Sequence, residues 1–392
     1  FKSTEHAANL FALKELGNIY TRIMNPTQDV LEQRVAALEG GAAALALASG
    51  PSAVSYSIIN ICSAGDEIVA ANNLSGGTYT MFDAILPQFG IQVKFADFRD
   101  PLNIETAISE KTRAIFTEAV GNPLLEVTDI GAVSEIAHKH HLPLIVDATF
   151  TTPHLLKSIE YGADIVVNSL TKWMGGHGTG IGGIVIDSGR FDWTDPKFRL
   201  YNEPDASYHG IRYAQDLGDL NPVAFIMRMR LVPLRNLGAC ISPDNAWMFL
   251  QGLETLPLRM QRHCENAMSA AQFLKTHSKV NWVRYPGLED DPTFPVAGKY
   301  LENGFGGMVV FGIEGGLEVG SKFVDNLKLF SHLANVGDAK SLVIHPSSTT
   351  HSQLSEAQQK AGGLTPDLVR LSVGIEHIDD IIGDLEQAFA RV

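Results

Sequence analysis

Between about residues 43 and 190, short β-rich runs alternate with segments of helical periodicity, and this alternation constrains the fold more than any other feature. The candidate strands are AALALAS, EIVAA, IQVKFAD, RAIFTEAV, LPLIVDATF, DIVVNSL and GGIVIDS. Strands that alternate with helices predict a mainly parallel sheet with helices on both faces. One helix can be checked by its period, since Ile130, Val133, Ile136 and Ala137 fall on one face of DIGAVSEIAHKHH.

The pattern changes at about residue 243. A long helix over residues 243–277 is followed by the spaced strands VNWVRY, GGMVVFGI, SLVIHP and VRLSVGI and by a final helix, DDIIGDLEQAFARV. We therefore expect an N-terminal arm over residues 1–30, an α/β domain over residues 31–242 and a smaller C-terminal α+β domain over residues 243–392. Segment 191–222 is rich in aromatic, proline and turn residues, and we interpret it as an ordered loop insertion, with a place over the active site as one option.

The composition indicates a soluble globular protein whose partner is a small molecule. The chain has 392 residues, 45% of them hydrophobic, which is enough for two cores. A formal net charge of −14 argues against binding nucleic acid or an anionic membrane through bulk electrostatics. No apolar run approaches the roughly 20 residues that span a bilayer, and the first residues lack a signal-peptide layout. Because Cys62, Cys240 and Cys264 are widely spaced in apolar surroundings, we expect a cytoplasmic protein without disulfides or zinc.

Several chemically useful side chains fall at the carboxyl ends of the predicted strands, where open parallel sheets bind ligands. Lys172 follows DIVVNSL within NSLTKWMGGHG, Asp147 ends the run LIVD, and Asn122 lies just beyond RAIFTEAV. Ser49 and Gly50 open the helix SAVSYSIINI, whose N–H groups and dipole suit a phosphate. An anion cradle, a carboxylate and a lysine are the groups that hold pyridoxal phosphate, through its phosphate, ring nitrogen and aldehyde.

Each of these residues also has a simpler interpretation. Lys172 can extend to water as a solvated charge, and Asp147 can cap a turn. The helix after Gly50 can simply be well capped. Only the coincidence of all three groups at one sheet edge favours a cofactor site.

Two further motifs predict no site. The histidines at positions 138, 140 and 141 lie on the polar side of a predicted helix with no cysteine or carboxylate in a matching register, which favours a solvated surface over a metal site. The run GTGIGG matches the dinucleotide-binding pattern literally, but a strand follows it where that pattern requires a helix. We therefore expect neither a bound metal nor a dinucleotide.

Taken together, these segments resemble the Cys/Met-metabolism family of pyridoxal-phosphate enzymes, fold type I, over essentially the whole chain. The resemblance is carried by NPTQDVLEQRVAALEGG, GNPLLEVTDI, KWMGGHGTGIGG, GLETLPLRMQRH and NVGDAKSLVIHPSSTTHSQL. Within the family, these segments are most similar to the sulfhydrylases that act on O-acetyl-L-homoserine, whereas cystathionine synthases and lyases carry a different segment in place of NVGDAKSLVIHP. The resemblance implies a PLP-dependent transferase fold, with a large α/β domain and a smaller α+β domain. It also implies γ-replacement with sulfide or methanethiol, giving L-homocysteine or methionine and acetate.

The resemblance also implies a role for each matching residue. Lys172 would bind the cofactor covalently and, once displaced by the substrate amine, move protons as a base. The cofactor-binding set that it implies is Lys172, Asp147, Thr149, Asn122, Ser169, Thr171, Gly50, Pro51, Tyr20 and Arg22. Tyr20 and Arg22 would reach the phosphate from a neighbouring subunit, so we expect a homo-oligomer, a tetramer built from dimers that share active sites. Arg370, with Ser341, would bind the substrate carboxylate, and a surface ion pair is the alternative for Arg370.

Two positions depart from the family pattern. Ser75 stands where the family normally has a tyrosine that stacks on the cofactor ring and assists proton transfer, so Ser75 is our second candidate catalytic residue. It can instead be an N-cap, an engineered substitution, or a natural variant that places another group there. Pro51 lacks the backbone N–H that the family usually offers to the phosphate, a loss on the order of 1 kcal/mol.

Two other functions remain open at this point. The first is another reaction of the same family, either cystathionine γ-synthase or γ-lyase activity or methionine γ-lyase activity. Methionine lyases carry a cysteine where this chain has Gly77, which disfavours that option. The second is a catalytically weak protein that retains the fold and binds the cofactor, as Ser75 suggests. The presence of Lys172, Asp147 and Arg370 argues against it, because a scaffold needs none of them.

Overall fold

A seven-stranded sheet forms the centre of the larger part of the protein. The computed structural model describes residues 1–12, 14–15, 17–349 and 363–392. The strands are β1 (Ala43–Leu47), β2 (Glu67–Ala71), β3 (Gln92–Ala96), β4 (Thr112–Glu118), β5 (Leu144–Asp147), β6 (Ile165–Ser169) and β7 (Gly183–Asp187), in the order β1-β7-β6-β5-β4-β2-β3. Neighbours from β3 to β6 pair in parallel, and β7 runs antiparallel to β1 and β6. The predicted mainly parallel sheet and its strands are confirmed.

Helices cover both faces of this sheet. The α-helices in this part of the chain are α1 (Thr4–Phe11), α2 (Pro26–Glu39), α3 (Gly50–Ile59), α4 (Gly76–Thr80), α5 (Pro101–Ala107), α6 (Ile130–Lys139), α7 (Thr152–Leu155), α8 (Arg199–Asn202), α9 (Ala224–Met229) and α10 (Arg235–Leu237). Ile115 and Val146 contribute to one hydrophobic core, whereas their chain neighbours Phe116 and Ile145 contribute to the other. This division follows from the alternation of side chains along a strand.

A smaller five-stranded sheet lies in the C-terminal part. Its strands are β8 (Val280–Arg284), β9 (Met308–Ile313), β10 (Ser331–His332), β11 (Leu342–Ile344) and β12 (Leu368–Ser372), in the order β10-β11-β12-β9-β8. Its helices are α11 (Pro243–Glu254), α12 (Leu256–Thr276), α13 (Phe294–Tyr300), α14 (Gly316–Asn326) and α15 (Ile378–Phe389). No helix in the described part of the chain has the length and apolar character needed to cross a membrane. The domain limits at residues 30 and 242 stay a prediction.

The single long helix predicted over residues 243–277 is wrong. The chain leaves the helical conformation at Thr255, where φ is −110° and ψ is 7°, and α12 then begins with proline in its first turn. Proline is well tolerated at the first turn of a helix, but it lacks the N–H that would continue α11. The run therefore forms two helices.

Segment 191–222 is ordered by buried aromatic side chains, including Trp193, Phe198 and Tyr201. Asn60, which follows α3, donates from Nδ2 to the hydroxyl of Tyr201 across 2.9 Å. The segment therefore packs at the C-terminal end of α3. The candidate phosphate site lies at the opposite end of that helix. This contact therefore does not support the suggestion that segment 191–222 lies over the active site.

Glu39, the last residue of α2, is a buried carboxyl that gives stability a pH dependence. Its Oε1 accepts a hydrogen bond from the backbone N–H of Ser158 at 2.7 Å, and burial raises the pKa of Glu39 from 4.5 to about 8. Between these two values the unfolded chain has released the proton and the folded protein keeps it. The contribution of Glu39 to the free energy of unfolding therefore falls as pH rises through this range, by up to about 1.4 kcal/mol per pH unit.

Replacing Glu39 with glutamine is expected to flatten this pH dependence, because an amide keeps the acceptor for Ser158 and carries no titrating proton. Urea unfolding of the full chain at pH 6, 7 and 8 measures the effect. Glu302→Gln is the control, since Glu302 is exposed and its charge does not contribute to the raised pKa of Glu39. An equally steep fall of stability in Glu39→Gln and in the unmodified protein would contradict the expectation.

Candidate active site

The start of α3 forms a backbone cradle against the end of β6. A Cβ built on Gly50 would lie 2.8 Å from Cβ of Ser169 and 3.0 Å from its Oγ, so only glycine permits this approach. Ser49 caps the helix by accepting a hydrogen bond from the N–H of Ser52 at 3.1 Å, and Pro51 contributes no N–H. No acidic residue lies in the first turn. The positive end of the helix is thus not neutralised locally and suits a phosphate.

The turn after β6 places Lys172 beside this cradle. Thr171 fastens the turn by accepting a hydrogen bond at Oγ1 from the N–H of Gly182 at 3.1 Å. The half-buried Lys172 donates from Nζ to Oδ1 of Asn335 at 2.5 Å. Burial, and then the charge of Arg370, lower the pKa of Lys172 from 10.5 to about 8. Part of the amine is therefore neutral near pH 7, the form that attacks a carbonyl or accepts a proton.

A buried carboxyl group and a half-buried one lie side by side at the ends of neighbouring strands. Glu118 on β4 pairs in register with Asp147 on β5. Asp147 accepts the N–H of Thr149 at Oδ1 across 2.9 Å, and Thr149 Oγ1 accepts the N–H of Ser169 at 2.9 Å. Burial raises the pKa of both carboxyls, and the charge of Asp147 raises that of Glu118 further. Two such groups do not both ionise readily, so a cation beside Asp147, such as a protonated ring nitrogen, is needed to hold its negative charge.

Ser75 forms two hydrogen bonds with one member of this carboxyl pair, Glu118. Its backbone N–H donates to Oε1 of Glu118 at 2.7 Å, and its hydroxyl lies 3.0 Å from Oε2. Ser75 occupies the N-cap position of α4 but makes no side-chain hydrogen bond to that helix. The hydroxyl therefore does not act as a helix cap, and a catalytic role for Ser75 stays a prediction.

Arg370 reaches the site from the smaller sheet. It lies on β12, and its Nη1 donates to Oδ1 of Asn122, just beyond β4, at 3.3 Å. Burial lowers the pKa of Arg370 from 12.5 to about 10. Within residues 1–349 and 363–392, apart from positions 13 and 16, no carboxylate forms an ion pair with it. The surface ion pair considered above is thus not found there, and the guanidinium suits a ligand carboxylate.

Ser341 is placed differently from the other predicted site residues. It is buried, and its hydroxyl donates to Oε2 of Glu376 at 2.9 Å while accepting the N–H of Gly374 at 2.9 Å. These contacts hold the hydroxyl within the protein. Its predicted contact with the substrate carboxylate stays a prediction.

The two residues predicted to act on a neighbouring subunit lie on the surface of their own chain. Tyr20 is 58% exposed, and the guanidinium of Arg22 lies 5.2 Å from the centre of its ring. Arg22 also donates to the backbone oxygen of Arg235. Within the described chain neither side chain hydrogen-bonds to Gly50 or Ser169, so their role at the phosphate stays a prediction.

Sequence reasoning missed two residues of this site, Glu118 and Asn335. Glu118 ends the predicted strand RAIFTEAV at the ligand-binding edge, and the strand-end rule could have selected it. Asn335 lies in a loop far along the chain, and no local pattern signals its contact with Lys172.

The fold and these groups define a pyridoxal-phosphate-dependent enzyme of fold type I. At Gly50 the start of α3 approaches Ser169 too closely to admit a Cβ, Lys172 offers a half-buried amine with a lowered pKa, and Asp147 offers a carboxyl whose charge requires a cation. These three groups fit the phosphate, the aldehyde and the ring nitrogen of the cofactor.

The chain belongs to the Cys/Met metabolism PLP-dependent enzyme family, whose sequence profile matches residues 1–390. It is 54% identical to an O-acetyl-L-homoserine sulfhydrylase of Leptospira meyeri, over 100% of this chain and 90% of that protein. It is 48% identical to a homocysteine synthase of Schizosaccharomyces pombe, over 99% of this chain and 90% of that protein. The predicted family and the predicted cofactor are confirmed.

The fold likewise matches a crystal structure from Campylobacter jejuni of a protein assigned as an O-acetylhomoserine (thiol)-lyase. The two structures superpose with a TM-score of 0.95 at 41% sequence identity, covering 100% of this chain and 92% of that one. The Campylobacter protein carries a pyridoxyl-lysine phosphate. The predicted fold class is therefore confirmed.

Proposed function

We propose that this protein catalyses γ-replacement on O-acetyl-L-homoserine, in which sulfide displaces acetate from the γ-carbon and gives L-homocysteine. With methanethiol as the acceptor, the product is methionine. The observation that carries the proposal is the half-buried amine of Lys172 beside the guanidinium of Arg370, which has no ion-pair partner within the described chain. The full-length similarity to an O-acetyl-L-homoserine sulfhydrylase and a homocysteine synthase supports this choice of substrate.

Each residue of the site has a separate task in this reaction. Arg370 binds the α-carboxylate of the substrate, and the Lys172 amine takes the proton from Cα and delivers protons to neighbouring carbons. Gly50 and Ser169 would hold the phosphate of the cofactor, and Asp147 its ring nitrogen. When bound, pyridoxal phosphate accepts the electron pair that proton loss leaves on the substrate.

The direct test incubates the protein with pyridoxal phosphate, O-acetyl-L-homoserine and either sulfide or cysteine, and measures the products by mass spectrometry. We expect homocysteine from sulfide at a rate well above that of cystathionine from cysteine. Faster cystathionine formation would favour a cystathionine γ-synthase instead. Release of methanethiol from methionine alone would favour a γ-lyase. O-Succinyl-L-homoserine in parallel determines which acyl group is preferred.

We infer further that the enzyme is a homo-oligomer whose N-terminal arm completes the phosphate site of a neighbouring subunit. The exposure of Tyr20 and the position of Arg22 outside their own cradle support this inference. Mixed oligomers of Arg22→Ala and Lys172→Ala subunits test it, because one site in each such pair would contain both native residues. If mixing restores no activity, sites are not shared through Arg22.

Replacing Ser75 with tyrosine is expected to strengthen cofactor binding about 2- to 10-fold, because ring stacking contributes roughly 0.5–1.5 kcal/mol. We expect turnover to rise as well, since the family has a tyrosine there. The backbone N–H of Ser75 can keep its bond to Glu118, so the loop should hold its place. Fluorescence titration with pyridoxal phosphate and the sulfide assay measure the two effects.

Ser75→Phe is the matched control, because it adds the ring without the hydroxyl. If both variants bind the cofactor better and only Ser75→Tyr turns over faster, the hydroxyl assists proton transfer. If neither variant exceeds the unmodified protein, this chain does not use the space beside Glu118 as the family does.

A further inference from the structure

The amine of Lys172 has a hydrogen-bond acceptor that belongs to none of the groups assigned to cofactor or substrate. Nζ donates to Oδ1 of Asn335 across 2.5 Å. Asn335 is the first residue of segment 335–341, which belongs to the loop between β10 and β11. A primary amide oxygen accepts hydrogen bonds but does not titrate near neutral pH. The contact therefore orients the amine without adding a charge beside it.

The loop segment 335–341 is held against the turn after β6 that carries Lys172, which we call the lysine turn. Gly337 has φ +77°, and a Cβ on it would lie 2.7 Å from the backbone nitrogen of Trp173, so only glycine fits there. Its N–H donates to Oγ of Ser372 at 2.9 Å. Two residues further on, the N–H of Ala339 donates to the backbone oxygen of Gly176 at 2.8 Å. The loop that carries the amide is thus held by contacts at Trp173 and Gly176, which follow Lys172, and at the hydroxyl of Ser372.

We propose that Asn335 is a positioning residue that holds the Lys172 amine in the orientation in which it acts as a base. The proposal rests on the proposed function, in which the substrate displaces this amine. A neutral amine has two N–H bonds and one lone pair. When one N–H donates to the amide oxygen, rotation about the Cε–Nζ bond is restricted and the lone pair remains available for a proton from the substrate. A carboxylate in the same place would form an ion pair and keep the amine protonated.

Several other ionisable groups lie near the lysine turn, and burial lowers the pKa of one of them, His263, to about 4, so that it is neutral near pH 7. They are Arg370 on β12, Asp147 on β5, Arg259 and His263 on α12, and Asp338 in segment 335–341 itself. The charge of Arg370 lowers the pKa of the Lys172 amine, in the same direction as burial. The guanidinium of Arg259 donates hydrogen bonds to the backbone oxygens of Trp173 and Met174. Burial and Arg370 thus account for the lowered pKa of Lys172, and the uncharged amide of Asn335 adds no charge that would oppose them.

The first test measures the pKa of Lys172 directly. The full-length chain without cofactor is methylated with formaldehyde and cyanoborohydride between pH 6 and 10, and the extent at Lys172 is read by mass spectrometry. We expect Asn335→Asp to raise the pKa of the amine by about 1 to 3 pH units, since an anion would then contact it. Asn335→Ala should not raise it. A pKa in Asn335→Asp equal to that of the unmodified protein would overturn the proposal.

The second test uses the loaded enzyme. Asn335→Ala is expected to lower kcat about 10- to 100-fold, because the base loses its orientation, with KM for O-acetyl-L-homoserine unchanged within about twofold. Asn335→Asp should move the acid limb of the kcat profile to higher pH. Asn303→Ala, a change of an exposed asparagine, is the control. A raised KM with unchanged kcat in Asn335→Ala would overturn the positioning role.

The two tests separate the two hypotheses. If the unmodified protein makes no homocysteine, the proposed function fails, and the methylation result still decides whether Asn335 governs the Lys172 amine. If homocysteine is made and the three pKa values coincide, only the proposal about Asn335 fails.

Discussion

Replacing Lys172 with alanine is expected to lower the rate of homocysteine formation by at least about 1,000-fold, because both covalent attachment of the cofactor and proton transfer depend on its amine. No second lysine hydrogen-bonds to Asn335 in the described part of the chain. Steady-state kinetics with saturating cofactor measure the loss. Borohydride reduction of the loaded protein should fix the cofactor to Lys172, and peptide mapping should then find the added mass on the peptide that contains this residue. No peptide of the Lys172→Ala variant should carry that mass.

Lys340→Ala is the matched control, since Lys340 is exposed and lies near the site in sequence, within residues 335–341. It should retain turnover and the reduced label at Lys172. Retention of more than a tenth of the original turnover by Lys172→Ala would refute the whole assignment, including the proposed function.

Replacing Arg370 with methionine is expected to raise KM for O-acetyl-L-homoserine by about 10- to 150-fold. The reason is the loss of charge-assisted hydrogen bonds to the substrate carboxylate, which contribute about 1.5–3 kcal/mol. Because the charge of Arg370 lowers the pKa of Lys172, the same variant should raise the pKa of that amine. Substrate-saturation curves and methylation of Lys172 across pH measure the two effects independently.

Arg262→Met is the control for this variant. Arg262 lies on α12 with about half of its side chain exposed, and it pairs with Glu265 at 3.5 Å. It should leave both KM and the pKa of Lys172 unchanged. If Arg370→Met changes kcat alone, the substrate carboxylate binds elsewhere, and Ser341 becomes the next residue to replace.

Much of the larger sheet could be read from the chain, because strand and helix periods are local properties. The runs EIVAA and DIVVNSL became β2 and β6, and the helix period around Ile130 became α6. The strand-end rule also selected Asp147 and Lys172, because parallel strands present their carboxyl ends at one edge. The one clear failure, the helix over residues 243–277, came from reading a continuous period through the break at Thr255.

The sequence by itself determined the family, the cofactor and the residue types at the strand ends, since these are carried by local motifs. The tertiary structure alone decided which distant groups touch. Glu118 meets Asp147 because β4 and β5 pair in register, and Asn335 meets Lys172 because backbone hydrogen bonds fix its loop to the lysine turn. Such contacts depend on strand order and close packing between remote segments. No local pattern encodes them, so the environment of the reactive amine became visible only in the folded chain.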